Sequence, residues 1–436
     1  MSAAVVGVDV GTGAARAHAV DHNGTVLARA EAPYAGAEGW EPGRADGRAW
    51  RDAVVDTVDA LVAQLPAATA VAALCVGGQS PTTVEGDGGA AVTVSHAAGI
   101  DMLPVAQHQA QRAVLDAERG RPVRPCQVWD WILEQLGAEQ AQGRWPGDPP
   151  LDGYGQVRST GDVVGVAGAR WRAIAGTPLV TGAQDAYLAV WAAGVDVPGR
   201  ALDPGGRTGG LAVGVPAGVR VDGLWTLASA ARGVDVVGGP VNAHGAALEW
   251  LSGLVGRPVA ALLELAESAP PGSGGVLMLP YLNGERAPRW NSMLRGEIVG
   301  FNTRTGVAEL ARAVLEGAAY GLGHIAALLR SSNVPIETLV CAGSPARSRV
   351  WCEIKAAVLE VPVAVPLGAD LAAYGAALAA GAGAGWWPKP SEGQTGDWPC
   401  PTMERIEPVP RAEYRDGLRR FIALGDAAER RVAGGQ

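Results

Sequence analysis

The sequence predicts an α/β protein that is divided into two domains. The chain has 436 residues, which is enough for two or three domains of ordinary size. Short β-branched runs that end in glycine-rich turns alternate with stretches of helical apolar spacing, a pattern typical of α/β layers. A Gly/Thr-rich turn beside a predicted hairpin occurs near residue 11 and again near residue 205. This weak internal repeat predicts one domain over residues 1–203 and a second over residues 204–436.

Each half contains the strands and helices that such a domain needs. In the first half, the turn at Asn23-Gly24 predicts a hairpin within residues 4–30. The other elements predicted for this half are a helix over 48–65, strands over 71–76 and 179–181, interrupted helices over 104–136 and a helix over 186–193. In the second half we expect helices over 307–329, 351–359 and 411–431 and a strand over 338–342. The Ala- and Gly-rich stretch 371–388 predicts a helix packed tightly inside a soluble domain rather than a membrane span.

Composition and charge exclude several classes of function. The formal net charge is −9 and no run of Lys or Arg occurs, which disfavours nucleic acids and anionic membranes as partners. The five cysteines are scattered and show no CxxC spacing, so we expect neither a disulfide framework nor a zinc site. The N-terminus shows no signal-peptide pattern, and we therefore expect a cytoplasmic protein.

The first motif that carries chemistry runs from Asp9 to Thr12. An aspartate at the end of a buried strand can hold a hydrated Mg²⁺ against phosphates. Gly11 lets a phosphate approach the backbone, and Thr12 offers a hydroxyl and an amide. Taken alone, the motif is explained equally well by a capped turn.

Asp185 and the glycine-rich turn at 205–210 are the next candidates. Asp185 lies between a predicted strand and a predicted helix, at the kind of strand end where α/β proteins bind ligands. Either a helix N-cap or a catalytic carboxylate fits that position. The turn can aim backbone amides at a phosphate, although it matches neither the Walker nor the dinucleotide-binding pattern.

Eight short segments, in their order along the chain, resemble the FGGY family of carbohydrate kinases. They are DVGT, GQSPT, TGAQDA, GGRTGG, NGERAPRW, RAVLEGAAYGL, AGSPARS and AAYGAALAAG, and they span about residues 4–385. The resemblance is closest to xylulokinase-like members and implies two actin-like (ribonuclease H-like) ATPase domains with a cleft between them. It also implies ATP-dependent phosphorylation of a hydroxyl on a sugar, ketose or polyol, with Mg-ATP held between the domains. A homodimer is common in that family.

The resemblance implies a role for each residue that matches it. Asp9 would organise Mg²⁺, and Asp185 would be the general base that also contacts the acceptor. Gln79 would lie at the sugar site, and Asp101 is a weaker candidate there. The residues expected to bind the nucleotide are Gly11, Thr12, Thr208, Gly209, Gly343, Ser344 and Pro345.

Several positions depart from the family pattern. Ser-Pro-Thr at 80–82 replaces the usual residues after GQ, and the usual Trp-x-Asp-x-Arg segment is not recognisable near Asp101. The lobe over about 105–150 looks trimmed. Arg207 stands where the family normally has glycine, and Pro345 removes a backbone donor from the adenine loop. The changes on the sugar side mean that pentuloses and glycerol are not safe guesses for the acceptor.

Two other functions remain compatible with the sequence. One is a kinase for an unusual cyclitol or modified sugar, and the other is a non-catalytic nucleotide- or sugar-binding regulator on the same fold. The presence of Asp9, Asp185 and Thr208 argues for catalysis, whereas the altered loops argue modestly for the regulator. Glu285 and Arg286, in NGERAPRW, are expected to form a buried ion pair rather than to act in catalysis.

Overall fold

The computed structural model describes residues 2–41, 43–93 and 104–434, and these fall into two compact units. The first unit comprises Met1–Asp196, Ala228–Val234 and Gly368–Thr402. The second comprises Val197–Leu227, Asp235–Leu367 and Met403–Gln436. This grouping differs from a single break after residue 203, because a stretch from late in the chain lies in the first unit.

Strands and helices alternate along most of the chain. The strands are β1 (Ala3–Val10), β2 (Ala14–Val20), β3 (Val26–Pro33), β4 (Arg44–Asp46), β5 (Ala70–Gly78), β6 (Thr82–Glu85), β7 (Ala90–Thr93), β8 (Pro125–Gln127), β9 (Ala141–Arg144), β10 (Gln156–Ser159), β11 (Val163–Val166), β12 (Pro178–Val180), β13 (Arg200–Asp203), β14 (Gly209–Pro216), β15 (Trp225–Ala228), β16 (Val234–Val241), β17 (Leu277–Leu279), β18 (Glu297–Val299), β19 (Thr338–Cys341), β20 (Val363–Pro366) and β21 (Met403–Ile406). The helices are α1 (Gly47–Val62), α2 (Pro104–Arg119), α3 (Val128–Leu136), α4 (Asp185–Ala192), α5 (Gly245–Val255), α6 (Val259–Ser268), α7 (Val307–Ser331), α8 (Arg349–Leu359), α9 (Leu371–Gly383) and α10 (Ala412–Gly434).

The first unit is built on a six-stranded sheet in the order β11-β12-β5-β1-β2-β3. β1, β2 and β3 are antiparallel neighbours, and the predicted turn at Asn23-Gly24 joins β2 to β3, with Gly24 at φ 84°. β1, β5 and β12 run parallel to one another. Their carboxyl ends therefore meet at one edge of the sheet, which is where α/β proteins bind ligands.

The second unit repeats this strand pattern. Its seven-stranded sheet has the order β15-β16-β14-β13-β19-β20-β21. β13 is antiparallel to β14 and parallel to β19, and β19 is parallel to β20. The segment β13-loop-β14 thus corresponds in topology to β1-loop-β2. The structure confirms the α/β class. The weak repeat in the sequence corresponds to this repeated arrangement of strand, glycine-rich loop and antiparallel strand.

Helix α9 packs unusually close to its neighbours in the first unit. A Cβ atom added to Gly7 of β1 would lie 2.0 Å from the Ala377 amide nitrogen and 2.2 Å from the Ala373 carbonyl oxygen. A Cβ added to Gly375 of α9 would lie 2.1 Å from the Leu188 carbonyl oxygen of α4. The predicted small-residue helix is therefore confirmed as a buried helix. Its neighbours explain why the unit that contains β1 also contains α9, although sequence order favoured the second domain.

The remaining elements follow the sequence prediction with local differences. The helical pattern predicted over 104–136 is two helices, α2 and α3, because the short strand β8 pairs with β6 between them. Within the described ranges, no single helix has the length and hydropathy of a membrane span, while α5 and α6 meet the criterion only as a pair bent by 98°.

We predict that Gly7→Ala destabilises the protein by about 3 kcal/mol or more, because the new methyl group would overlap backbone atoms that cannot rotate away. The matched control is Gly253→Ala in α5, where an added Cβ meets nothing within 4 Å. That change should leave stability unchanged or raise it by up to about 1 kcal/mol. Thermal and urea unfolding of the two variants would test this, and equal stability would contradict the close packing of α9 on β1.

Candidate functional site

Three candidate residues of the first unit lie at the shared edge of β1, β5 and β12. Asp9, near the end of β1, is aligned with Gly77 of β5. The Gln79 amide, just after β5, donates to the Val10 carbonyl at 3.0 Å. Gly78 forms a bridge with Gln184, the residue before Asp185. The structure thus brings Asp9, Gln79 and Asp185 to one edge of the sheet.

Asp9 is a buried carboxylate beside other charged groups. Its exposed fraction is 5%, and Oδ1 has no hydrogen-bond partner among the described residues. Burial, followed by the nearby charges of Asp370 and Asp185, raises the pKa of Asp9 well above its usual value, against the opposing effect of Arg16. Within the described part of the chain, no three His, Cys, Asp or Glu side chains are arranged as a ready-made metal site. Asp9 therefore offers one oxygen, Oδ1, as a possible metal ligand rather than part of a complete ligand set.

The loop after β1 is held close to Asp9. The Tyr34 hydroxyl donates to the Gly11 carbonyl at 2.8 Å, and the Gly11 amide donates to Ala14 at 3.2 Å. A Cβ added to Gly11 would lie 3.2 Å from Arg16 Nη1 and 3.3 Å from Asp9 Oδ2. A larger residue at position 11 would crowd these charged groups, whereas Thr12 is exposed at the tip of the loop.

Asp185 is the first residue of α4 and is partly buried. Gln184, not Asp185, is the N-cap of this helix, so the simple capping explanation for Asp185 is wrong. The Ala186 amide donates to Asp185 Oδ1 at 2.7 Å. Burial raises the pKa of Asp185 to about 7, and nearby Asp370 adds to the rise, although the Ala186 amide opposes it. At neutral pH this carboxyl group is therefore poised between its two protonation states.

Two charged residues of this site were not predicted from the sequence. Arg16 of β2 is aligned with Asp9 and contacts Glu31 at 3.0 Å and Asp370 at 4.0 Å. Asp370 caps α9 by accepting from the Ala373 amide at 3.0 Å. The register of the predicted hairpin could have revealed Arg16, because it places that side chain opposite Asp9. No local signal marks Asp370, whose position depends on the packing of α9.

A buried polar cluster follows directly after Gln79 in the first unit. The Thr83 hydroxyl lies 3.2 Å from His108 Nδ1, 2.9 Å from Gln111 Oε1 and 2.8 Å from the Tyr154 hydroxyl. Gln111 Nε2 also donates to the Pro81 carbonyl at 2.9 Å. Burial lowers the pKa of His108 to about 3, so its imidazole is neutral at physiological pH.

A second polar group of the first unit contains Asp130 of α3. Asp130 accepts from Gln127 Nε2 at 2.8 Å and from the Gly143 amide at 3.0 Å, while Arg144 Nη1 donates to Gln127 at 3.1 Å. Burial raises the pKa of Asp130 to about 7. These groups come from the segment that looked trimmed in the sequence. Asp101, the other candidate on this side, lies outside the described residues.

In the second unit, the two predicted nucleotide loops are in direct backbone contact. A Cβ added to Gly205 would lie 2.1 Å from the Ala342 carbonyl, and one added to Gly343 would lie 2.8 Å from the Pro204 carbonyl. Gly343 has φ 68°, and Pro345 is buried in the short turn that follows. Thr208, partly buried, and Gly209, buried, stand where the first loop enters β14. The loop that leads to Thr208 and Gly209 therefore packs against the turn at Gly343, Ser344 and Pro345 as one candidate nucleotide surface, in which Gly209 and Pro345 are themselves buried.

Arg207 is paired with a helix residue, and Glu285 behaves differently from expectation. The Arg207 side chain turns onto α5, where Nη1 lies 2.5 Å from Glu249, and does not cover the loop with a free charge. The ion pair expected between Glu285 and Arg286 does not form among the described contacts. Glu285 Oε1 instead accepts from the amides of Asn242 at 2.8 Å and Arg286 at 2.7 Å. Backbone amides thus satisfy this buried carboxyl group, whose pKa burial raises to about 7.

Comparison with known proteins identifies the relatives of this chain. Residues 211–384 match the C-terminal domain of the FGGY family of carbohydrate kinases. The glycerol kinase of Gloeobacter violaceus is 36% identical over 151 residues, which are 34% of this chain and 30% of that kinase. The gluconokinase of Bacillus subtilis is 34% identical over 156 residues, which are 33% of this chain and 30% of that relative. The alignments thus span about a third of the length of these curated relatives.

Solved structures resemble nearly the whole chain. A crystal structure described as a xyloylose kinase from Brucella ovis aligns with a TM-score of 0.76 and 22% identity, covering 97% of this chain and 99% of that one. At this identity the likeness shows the fold, which is the two-domain α/β fold of such kinases. Residues 211–384 thus match the C-terminal domain of the FGGY family of carbohydrate kinases, and the chain as a whole has the fold of the solved kinase.

Proposed function

We propose that this protein transfers the γ-phosphoryl group of ATP to a hydroxyl of a sugar, ketose or polyol, with Asp185 as the general base. The observation that carries the proposal is the position of Asp185, beside Asp9 and Gln79 at the carboxyl edge of the first sheet, with a pKa of about 7. The match of residues 211–384 to a carbohydrate-kinase domain supports the reaction class, and the relatives are named glycerol kinase and gluconokinase.

A carboxylate with these properties suits proton transfer from an alcohol. A sugar hydroxyl has far too high a pKa to attack phosphorus unaided, and a base close to the operating pH removes its proton most efficiently. Burial raises the pKa of Asp185 to about 7. The hydrogen bond from the Ala186 amide fixes one carboxylate oxygen and leaves the other for the hydroxyl of the sugar. The rest of the catalytic effect in such reactions comes from positioning and from charge stabilisation around the phosphoryl group.

Asp9 fits a role in holding Mg²⁺. Its buried Oδ1 has no hydrogen-bond partner in the described part of the chain, and a carboxylate oxygen is the type of ligand that this cation prefers. Magnesium bound there would neutralise charge on the phosphates of the nucleotide. Arg16, aligned with Asp9, supplies a second positive charge. The missing side chain at Gly11 leaves room beside Arg16 and Asp9, and the exposed Thr12 offers its hydroxyl and amide to a phosphate.

The second unit would contribute to nucleotide binding through its two contacting loops. We assign the phosphate contacts to Thr208 and Gly209 and the contacts with adenine and ribose to residues 343–345. Gly343 has a positive φ, and a side chain there would collide with the Pro204 carbonyl, so the close packing of the two loops depends on glycine. A Cβ added to Gly205 would lie 3.1 Å from Pro345 Cδ, so Pro345 contributes to the shape of this surface rather than a hydrogen bond.

The acceptor would bind beside Gln79 and Asp185. The groups around Thr83 and His108 and around Asp130 are buried and hydrogen-bonded within the protein. They would therefore fix the shape of the region beside Gln79 rather than contact the acceptor themselves.

The experiment that tests the proposal measures ADP formation from Mg-ATP across ketoses, aldoses, polyols and cyclitols. We expect turnover with at least one acceptor and a fall of about 10²-fold or more in Asp185→Asn. The Asn side chain keeps an acceptor for the Ala186 amide, so the fold should survive. Near-normal turnover in the variant would remove Asp185 from the mechanism, and no turnover over the panel despite ATP binding would favour a non-catalytic regulator.

The same variant gives a prediction about stability. The pKa of Asp185 in the folded protein is about 7, against roughly 4 in an unfolded chain, so its ionisation opposes folding at high pH. Asp185→Asn should therefore raise the melting temperature most above pH 7, and the gain should shrink as the pH falls towards 4. Thermal unfolding at pH 8 and pH 4.5 measures this, and a stabilisation that is larger at pH 4.5 would contradict the raised pKa.

The pH profile of kcat/KM should report the same group. A general base works only when ionised, so we expect kcat/KM to rise with pH through about 7. Asp370→Asn removes a negative charge that raises the pKa of Asp185 and should move the midpoint to lower pH. Glu31→Gln is the control, because Glu31 pairs with Arg16 and does not contribute to the shift at Asp185. A midpoint that stays in place in Asp370→Asn would contradict this assignment.

A further inference from the structure

The second unit contains a fully buried lysine that the proposed reaction does not use. Lys355 of α8, Asp203 at the end of β13 and His244 before α5 are each 0% exposed. Lys355 Nζ lies 2.6 Å from Asp203 Oδ2, and His244 Nε2 lies 3.5 Å from the same oxygen. Trp351 stacks on the His244 ring at 4.7 Å, and its ring centroid is 5.0 Å from Lys355 Nζ.

The ion pair is charged despite its burial. Burial alone would raise the pKa of Asp203, but Lys355 and His244 together hold it below its usual value. Burial likewise works against the charge on Lys355, but Asp203, together with Cys341 and Cys352, more than offsets this and raises the pKa of the ammonium group. His244 is neutral, because burial lowers its pKa to about 4. Two charges removed from water are tolerated only when each is well paired. The orientations of the Asp203 and Lys355 side chains are therefore tightly constrained.

Asp203 corresponds to Asp9 in the repeated topology, but its surroundings differ. Both aspartates stand at the end of a strand that leads through a glycine-rich loop into an antiparallel partner. Asp9 Oδ1 has no partner among the residues described, whereas both oxygens of Asp203 are engaged. Lys355 occupies Oδ2, and Oδ1 accepts from the Gly205 amide at 3.1 Å. The ammonium group thus stands where the first unit leaves an oxygen available to a cation.

Both loops of the candidate nucleotide surface are attached to Asp203. Its side chain binds the amide of Gly205, the second residue of the 204–208 loop. Its carbonyl accepts from the Ala342 amide at 2.9 Å, immediately before Gly343. The Gly206 and Arg207 carbonyls are in turn held by the amides of Gly245 and His244, each at 3.0 Å. The path of the loop is therefore fixed by hydrogen bonds on the side that faces the protein.

We propose that Asp203, held in place by Lys355, is a positioning residue that fixes the Gly205 amide and thereby shapes the phosphate loop for the nucleotide. The proposal rests on the proposed function only in taking residues 205–209 as the phosphate loop. A preformed loop pays less ordering entropy on binding, so loss of this anchor weakens nucleotide binding even if the fold is intact. A purely structural ion pair would affect stability alone.

Two charge-free double variants separate these roles. Asp203→Asn with Lys355→Met removes both charges but keeps an oxygen that accepts from Gly205. Asp203→Leu with Lys355→Met removes the charges and the acceptor together. Replacing a buried ion pair by groups of similar volume is often neutral for stability, whereas removing one partner leaves a buried charge. The two variants therefore differ mainly in the anchor of the Gly205 amide.

The measurement is the dissociation constant of Mg-ADP by calorimetry, with the melting temperature recorded for each protein. We expect the Leu variant to bind Mg-ADP about tenfold more weakly than wild type, and the Asn variant to stay within about threefold of it, as one hydrogen bond would allow. Equal affinities in two variants of equal melting temperature would overturn the positioning role. Failure of the wild-type protein to bind Mg-ADP would instead overturn the assignment of the phosphate loop.

Residue-resolved hydrogen exchange of the wild-type protein, without nucleotide, gives a test that needs no folded variant. The Gly205 amide should exchange at least tenfold more slowly than the amide of the exposed Thr12, which lies in the corresponding loop of the first unit. A Gly205 amide that exchanges as fast as Thr12 would overturn the anchor, whether or not nucleotide binds.

Discussion

The geometry of the candidate site in the first unit depends on the close packing of helix α9. Glycine at position 7 lets the backbone of α9 reach β1, which carries Asp9, and Gly375 lets it reach α4, which begins with Asp185. The helix also brings its own N-cap, Asp370, to within 4.0 Å of Arg16. One small-residue helix thus positions three carboxylates and one guanidinium. A bulky side chain at either glycine would separate them.

The same packing determines the electrostatics of the site. Close contact excludes water, and burial is the largest cause of the raised pKa values of Asp9 and Asp185. Each carboxylate then raises the pKa of its neighbours, because like charges in a poorly hydrated region repel. Arg16 offsets this at Asp9 but is not among the causes at Asp185. Two aspartates at one sheet edge can therefore have different roles, one paired with positive charge and one free to accept a proton.

Much of the fold could be predicted from the sequence, because hairpin turns and apolar periodicity are local signals. The β1-β2-β3 meander, the helix at 307–331 and the small-residue helix at 371–383 all follow from them. Local signals also placed Asp9 and Asp185 at strand ends. They could not assign α9 to the first unit or reveal Asp370, since both depend on backbone contacts between residues more than 180 positions apart. Lys355 was missed because a lysine on a helix normally predicts an exposed position.

The two units show how one topology can serve different chemistry. In each, an aspartate ends the strand before a glycine-rich loop, so backbone geometry alone would give both the same capacity to bind a cation. The cationic partners of the two aspartates make this capacity different. Arg16, about a third exposed, shares its charge among several carboxylates. Asp9 Oδ1 has no hydrogen-bond partner among the residues described. Lys355, fully buried, pairs with Asp203 at 2.6 Å and occupies the oxygen that could otherwise bind a cation. A carboxylate without a dedicated cation can bind an external one, whereas a carboxylate with a buried ammonium partner can only orient its own backbone. The two loops therefore differ in the exposure of the cationic side chain beside each aspartate.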